Sequence, residues 1–381
     1  MEGARVGSGR AFSALVPRSS RELSFFVNVV SHKQNQKPGI ALIIVMLVIV
    51  SLAALAGTFA ASMKVETVLV RQADGDRELE WLCRSGVEFA RFLVGQQATI
   101  ALEPYDSLNQ RWAGGPGVTN SPMQSFSLTN QLGNGSFTVR IVDWERFFNI
   151  NSAADRKHPT GRQALEIALT QMEVENPDKN IIVDSILDWR DADSDSSLNG
   201  AEMDYYANLS KPYLPKNGPI DDLSELLLIR GVTPEMYWGT NAPVTLGGST
   251  GEEPKGYPMS LRDFFAPMST GYININTASD KVLQLIPGID AALAISILRV
   301  RAGPDGVDGT GDDTPFRNVA ELATIGFGRE TIERVRRLLS VKSATFAVEV
   351  EAELEGRKRR MHAVLHRSSA TDVKILVNHR Q

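Results

Sequence analysis

Between Ile40 and Met63 the chain runs IALIIVMLVIVSLAALAGTFAASM, twenty-four residues without a charge. At about 1.5 Å per residue this is long enough to cross a hydrocarbon core of about 30 Å. Each Leu, Ile or Val in it favours insertion by roughly 0.3–0.6 kcal/mol. A soluble core helix of this length would normally show a polar face, and this one has none. Arg5, Arg10, Arg18, Arg21, Lys33 and Lys37 precede the run. That excess of positive charge keeps the preceding segment cytoplasmic and sends the following body across. A cleaved secretory signal is the rival reading, but its apolar region is usually about 7–15 residues and ends in a small-residue site.

The remaining composition narrows the function classes. Hydrophobic residues make up 43% and charged residues 22% of the 381, enough to build a buried core in the body. The net charge of −5 argues against a polyanion binder held by charge alone. Cys83 is the one cysteine, so neither an internal disulfide nor a Cys-based zinc site is expected. Of the five histidines (His32, His158, His362, His366 and His379), only His362 and His366 stand four apart, and no HExxH frames them. They read as surface residues on a strand. There is no GxSxG and no P-loop either, so no enzyme is expected.

Beyond the apolar run, residues 64–97 lack proline, and Leu79, Leu82, Val87, Ala90 and Val94 recur near helical spacing. The helix is expected to continue there as an amphipathic one. Residues 103–135 are rich in Gly, Pro, Asn and Ser and read as loop. Gly135 to Trp144 alternates as a strand, with Gln124–Thr129 expected to pair with it across Gly133-Asn134-Gly135. Thr345–Leu354, Arg360–His366 and Val373–Val377 alternate again, with a turn at Glu355-Gly356-Arg357. Between these strand regions lies an internal echo: Asn149-Ile150-Asn151-Ser152-Ala153 returns as Asn274-Ile275-Asn276-Thr277-Ala278. Ser152 and Thr277 read as helix N-caps. Glycine turns at Gly288, Gly326 and Gly231 suggest helix-hairpin-helix units that pack like a sterile-alpha-motif domain.

The junction Lys37-Pro38-Gly39-Ile40 before the apolar run resembles the leader of type IV prepilins and pseudopilins. That resemblance implies cleavage between Gly39 and Ile40 by a prepilin peptidase, methylation of the new N-terminus, and a leader, 1–39, longer than is usual. Most such subunits carry glutamate at the fifth mature position; here it is Ile44. In the family that carboxylate pairs with the amine of the subunit ahead in the filament, and a subunit at the tip has none ahead. An unpaired carboxylate in an apolar helix costs several kcal/mol, roughly. With the Asn-Ile-Asn repeat, the helical insertion and the closing strands, the order from Lys37 onward resembles the type II secretion system protein K family, a minor pseudopilin class. The resemblance implies an α+β chain with a transmembrane helix, an antiparallel sheet and an inserted helical domain. It places the chain in the inner membrane with its body in the periplasm, partnered by other minor pseudopilins and the major pseudopilin. Boundaries follow as leader 1–39, membrane helix 40–63, helix and first strands 64–148, helical modules 149–270 and 271–340, and closing strands 341–381.

One acidic segment invites a metal. Counting Asp191 as the first position of a loop, Asp193 is third, Asp195 fifth and Glu202 twelfth, as in an EF-hand; Ser196 stands where that loop has Gly. Asp188 and Asp204 are further candidate ligands. An acidic surface loop capping a helix is the alternative, and the family resemblance favours calcium. A second acidic loop, with Asp305, Asp308, Asp312 and Asp313, reads equally as a calcium loop or a flexible turn. A membrane-anchored helix-hairpin-helix DNA binder is the competing function, with Arg329, Arg334, Arg336 and Arg337 in its favour and Asp290, Asp280 and Asp305 against it. Neither nucleic acid nor a small-molecule substrate is expected.

Overall fold

The computed structural model describes residues 38–117, 122–239 and 256–380. The leader segment 1–37 lies outside the described residues, as does part of the expected loop, 118–121. The chain divides into two units, Met1–Leu69 and Val70–Gln381. One helix, α1 (Pro38–Gln97), runs through both. In the first unit its apolar side chains are open all round: Leu47 is 65% and Val48 47% exposed. A helix that is apolar on every face needs a nonaqueous or protein surround, and this one is long and apolar enough to cross a membrane.

In the second unit α1 becomes striped. Leu79, Leu82, Val87, Ala90, Leu93 and Val94 are buried, while Trp81 stays 65% exposed. The stripe covers an antiparallel sheet in the order β1-β2-β7-β8-β9: β1 (Thr129–Leu132), β2 (Gly135–Asp143), β7 (Thr345–Leu354), β8 (Arg357–Arg367) and β9 (Val373–Arg380). Phe137, Val139 and Ile141 from β2, Val348, Val350 and Ala352 from β7, and Met361, Ala363 and Leu365 from β8 form its inner face. A Cβ on Gly86 would collide with Val350 Cγ1, and one on Gly95 would meet the Ala370 carbonyl at 2.7 Å. The helix therefore touches the sheet where it has no side chain.

Two hairpins fix the register. Leu132 pairs with Gly135, leaving Gly133 (φ 61) and Asn134 as a two-residue loop. Leu354 pairs with Arg357 around Glu355 (φ 50) and Gly356 (φ 78), both left-handed as a type I′ turn requires. The first strand begins at Thr129; the expected start at Gln124 falls in a 3-10 turn, Pro122–Ser125. The last strands run past their expected ends, to Arg367 and Arg380.

Between β2 and β7 lies a helical insertion of two modules with one plan. The first opens with β3 (Phe148–Asn149), which pairs in parallel with β4 (Phe265–Ala266) at its close. The second opens with β5 (Ile273–Asn274), paired in parallel with β6 (Leu339–Ser340). Each holds a long helix, α4 (Asn176–Arg190) and α9 (Ala291–Arg301), both carrying Ser-Ile-Leu followed by Arg three residues on. Around α4 the first module adds α2 (Ile150–Ala153), α3 (Gly161–Gln171), α5 (Met203–Ala207), α6 (Pro234–Trp238) and α7 (Leu261–Phe264). The second adds α8 (Asp280–Leu283) and α10 (Arg329–Val335). Each module also carries one copy of a short motif, Pro219-Ile220-Asp221-Asp222-Leu223-Ser224-Glu225-Leu226 in the first and Pro315-Phe316-Arg317-Asn318-Val319-Ala320-Glu321-Leu322 in the second.

The Asn-Ile-Asn repeat explains why both copies close. Asn151 donates from Nδ2 to the Ile220 carbonyl (2.8 Å) and accepts the Ile220 N–H at Oδ1 (2.7 Å). Asn276 does the same to Phe316, at 2.9 and 2.8 Å. One amide thus satisfies both backbone groups of a residue that returns from far along the chain. Ser152 and Thr277 do not cap as expected. Asn149 accepts the Ser152 N–H and caps α2, Ser279 caps α8, and the Thr277 hydroxyl goes to Asp143. Gly231, Gly288 and Gly326 take left-handed turns (φ 87, 99 and 96), but the arms before Gly231 and Gly326 are 3-10 turns rather than full helices.

Where the chain leaves and re-enters the sheet, three carboxylates are buried: Asp106, Asp143 and Glu145 are 2%, 1% and 1% exposed. Asp143 Oδ2 accepts from Thr277 Oγ1 (2.5 Å), Ser343 Oγ (2.6 Å) and Asn274 Nδ2 (3.3 Å). Arg367 pairs with Asp106 and donates to the Ser343 carbonyl at 2.6 Å. Glu145 accepts the N–H groups of Thr270 (3.2 Å) and Thr345 (2.9 Å). Burial, with the Asp143 carboxylate next in size, pushes Glu145 up to about 8. A carboxyl raised in the fold contributes fully at acid pH, where the unfolded chain is protonated too, and that contribution is lost as pH rises toward 8. The melting temperature should therefore fall between pH 4.5 and about 8. Glu145→Gln should flatten that slope; an unchanged slope in thermal melts across this window would show that Glu145 does not set it.

Candidate functional site

The acidic loop lies between the C-terminus of α4 and the start of α5. α4 ends at Arg190, and Asp191 is already extended (φ −72, ψ 170). The expected ligands separate into two groups. Asp191, Asp193 and Glu202 offer carboxylate oxygens all within 4.8 Å of one another. Asp188 turns to protein instead: its carboxylate, 0% exposed, accepts Ser197 N (3.0 Å), Ser197 Oγ (2.6 Å) and Arg156 Nη2 (2.6 Å). Asp195 and Asp204 lie outside the cluster. Asp195 is exposed, its N–H donated to Asp193 Oδ1 (3.0 Å), and Asp204 is an exposed residue in the first turn of α5.

Two oxygens of this loop, Asp191 Oδ1 and Glu202 Oε1, and one beyond α5, Asn217 Oδ1, are buried without a hydrogen-bond partner among the described residues. Buried acceptors left unpaired cost about 1–3 kcal/mol each. Asn217 reaches them from a left-handed turn (φ 44), donating Nδ2 to the Asp193 carbonyl (2.5 Å) and to Glu202 Oε2 (3.3 Å). The amide nitrogen thus ties Asn217 to both the loop backbone and the Glu202 carboxylate, while its oxygen stays buried without a partner. Asn217 is the residue the spacing rule missed. Its only trace in the sequence is an Asn-Gly turn pair, fifteen residues after Glu202.

The electrostatics fit a set of oxygens gathered ahead of a positive charge. Burial pushes Asp191 up despite Arg156, which donates Nε to its Oδ2 at 2.7 Å. Burial and then the facing carboxylates of Asp188, Asp191 and Asp193 push Glu202 up, against the Asn217 hydrogen bond. An all-oxygen set of carboxylates and one amide suits a hard dication such as Ca2+. Gly200 is needed beside it, because a Cβ there would run into Asp188 Oδ2.

The second acidic loop is built differently. Arg301, 4% exposed, pairs with Asp308 and also donates to the carbonyls of Ile275 (2.8 Å) and Ala278 (2.6 Å). Asp312 accepts Thr310 Oγ1 (2.6 Å) and Asp305 N (3.0 Å), and Asp313 accepts Gly309 N (2.8 Å). Its acids are spent on the turn itself. At the hairpin proposed for DNA, Asp290 caps α9 by accepting Leu293 N (2.8 Å), so a carboxylate holds the amide end a phosphate would need. Arg334 and Arg336 pair with Glu330 and Glu333.

These features define a class: a pilin-like subunit, long helix over an antiparallel sheet, whose sheet is interrupted by a two-module helical insertion. The family model for type II secretion system protein K matches residues 146–245, which take in most of the first module. A type II secretion system protein K from Aeromonas hydrophila is 25% identical over 353 residues, 87% of this chain and 94% of that protein. One from Pectobacterium carotovorum is 26% identical over 217 residues, 54% of this chain and 61% of the relative. A chain in the crystal structure of the GspK-GspI-GspJ complex from the enterotoxigenic Escherichia coli type 2 secretion system has the same fold. It superposes with TM-score 0.61 at 18% identity, covering 82% of this chain and 99% of that one. In sequence and in fold the chain is thus similar to the type II secretion system protein K family.

Arg156 holds the loop from outside, bridging Asp188, Asp191 and Ser197 Oγ (2.7 Å). Arg156→Met keeps the stem and removes the donors. It should cost about 1–3 kcal/mol by leaving the buried Asp188 carboxylate short of a partner. Denaturant unfolding of the purified chain measures it, and no loss would mean that Ser197 alone satisfies Asp188.

Proposed function

We propose that this minor pseudopilin sits at the tip of the pseudopilus of a type II secretion system, where it nucleates the filament and caps it. The observation that carries this reading is the insertion: nearly the whole span between β2 and β7 is a bulky helical body grafted onto one subunit's sheet. A subunit so enlarged is suited to end a stack of helices rather than to repeat within it. Ile44 fits the same place, since a tip subunit has no neighbour ahead to neutralise a carboxylate. The apolar half of α1 anchors the chain in the inner membrane, with the body in the periplasm. Prepilin peptidase cuts between Gly39 and Ile40, and the new N-terminus is methylated. Other minor pseudopilins, such as the two that accompany the protein in the E. coli complex, pack against α1, and the major pseudopilin follows below them.

Filaments sheared from secreting cells and labelled against the insertion should carry label at one end only. Label spaced along the shaft would sink the tip assignment.

Calcium, in this reading, is held by Asp191, Asp193, Glu202 and Asn217 and orders the first module. What supports it is that Asp191 and Glu202, each with a buried oxygen lacking a partner, belong to one carboxylate cluster, and that Asn217 hydrogen-bonds to Glu202. Calcium at a hundred times its dissociation constant should add about 2.7 kcal/mol to stability, and Asn217→Ala should abolish most of that gain. Melting curves with calcium and with chelator that coincide would remove calcium from the site.

A further inference from the structure

The histidines that the sequence pairs by spacing are not the ones that meet. His366 lies opposite Lys374, whereas His362 on β8 lies directly opposite His379 on β9. Their rings are close to parallel, 16° between planes, with centroids 5.7 Å apart. Both are on the outer face of the sheet, since the inner face of β8 is Met361, Ala363 and Leu365. His362 is half-buried and His379 exposed. Among the described residues neither imidazole has a hydrogen-bond or ion-pair partner.

The same lateral row continues inward from β8. Glu349 on β7 lies opposite His362, and Arg140 on β2 lies opposite Glu349, with an ion pair of 3.2 Å between them. Arg360, two residues before His362 on the same face, pairs with Glu351 at 2.9 Å. Among the described side chains, the cations beside the two rings, Arg140 and Arg360, are each matched by a carboxylate. Two rings in direct cross-strand register, close to parallel, on the outer face and without a hydrogen-bond partner among the described residues, are ligands in want of a shared centre.

We propose that His362 and His379 form a two-imidazole site for a borderline divalent transition-metal ion such as Zn2+, clamping the last strand β9 onto β8. With Zn–N bonds of about 2.1 Å, each ring centre lies roughly 3.3 Å from a shared ion, so the observed separation corresponds to the bent arrangement a tetrahedral ion takes. Rotation about χ2, a broad two-fold torsion for histidine, turns one nitrogen of each ring toward it. Water fills the remaining positions. The nitrogen donors set this site apart from the all-oxygen loop near Glu202, which prefers a hard cation. The proposal does not depend on the pseudopilus assignment.

The test uses the full chain, free of any affinity tag, in detergent with calcium saturating. Zn2+ is titrated against a chromophoric chelator, and melting is followed with and without Zn2+. The expected result is a site that His362→Ala and His379→Ala each weaken by about tenfold or more, close to 1.4 kcal/mol, while His366→Ala leaves it unchanged. Zn2+ should raise the melting temperature of the parent chain and of His366→Ala, and leave that of His379→Ala unmoved. No Zn2+ binding by the parent chain would overturn the proposal. So would undiminished affinity in the His362→Ala, His379→Ala double variant, or an equal loss in His366→Ala.

Discussion

The Asp143 carboxylate is the tie on which the whole body depends. A chain that leaves a sheet at one strand, folds an independent helical mass and returns beside the same strand must hold both crossing points together. Asp143 stands at the end of β2, Ser343 just before β7, and Asn274 and Thr277 at the start of the second module; one oxygen accepts from all three. Three donors on one buried acceptor replace the water that a carboxylate would otherwise need. The neighbouring Arg367–Asp106 pair adds the end of β8 and the loop after α1 to the same knot. The ends of β2 and β7 are thus tied to each other and to the second repeat of the insertion.

That insertion is one design used twice with different outcomes. In both modules an Asn-Ile-Asn strand opens the unit, an asparagine latches a returning residue by its N–H and C=O, and a parallel strand closes it. In both, an acidic loop follows the long helix. The equivalent arginines then part company. Arg301 is buried and ties its loop internally through Asp308, and the remaining acids accept backbone and threonine donors. Arg190 is only 29% exposed in its side chain and reaches away to Asp155 at 3.5 Å. With no arginine of its own turned inward, the first loop keeps Asp191 Oδ1 and Glu202 Oε1 unmatched. The two loops therefore differ in which cation satisfies them: the helix's own arginine in the second module, and Arg156 from another segment in the first.

Local pattern made much of this legible. An unbroken apolar run, a helical stripe from Leu79 to Val94 and period-two strands depend on nearest neighbours, and each element appears where its period places it. The left-handed glycines at 288 and 326 were equally visible, since few other residues take that backbone. What failed to show were the roles set by distant partners. Ser152 looks like a cap because serine often is one, yet the helix has already begun at Ile150, and Asn149 caps it by accepting the N–H of Ser152 itself. Asp188 looks like a ligand because acids crowd there, but Arg156 and Ser197 claim it from other segments. Asn217 has no spacing signal, because its place in the site is set by how the chain folds back past Pro215 and Gly218.

Along α1 a single helix answers two environments with two vocabularies. From Ile40 to Met63 any face can meet any surround, so the segment needs only apolar bulk, and a carboxylate at position 44 would need a partner from another molecule. From Leu79 to Val94 one face meets a fixed sheet, so bulk becomes a liability at Gly86 and, just beyond, at Gly95, where Val350 and the Ala370 carbonyl stand in the space of a side chain. The first half is tolerant of which residue stands where, provided it is apolar; the second is tolerant of polarity on its outer face, provided the inner face keeps its shape. Substitutions that add volume at Gly86 therefore act on the body's fold, while a charge at Ile44 would act on the surround of the exposed apolar helix.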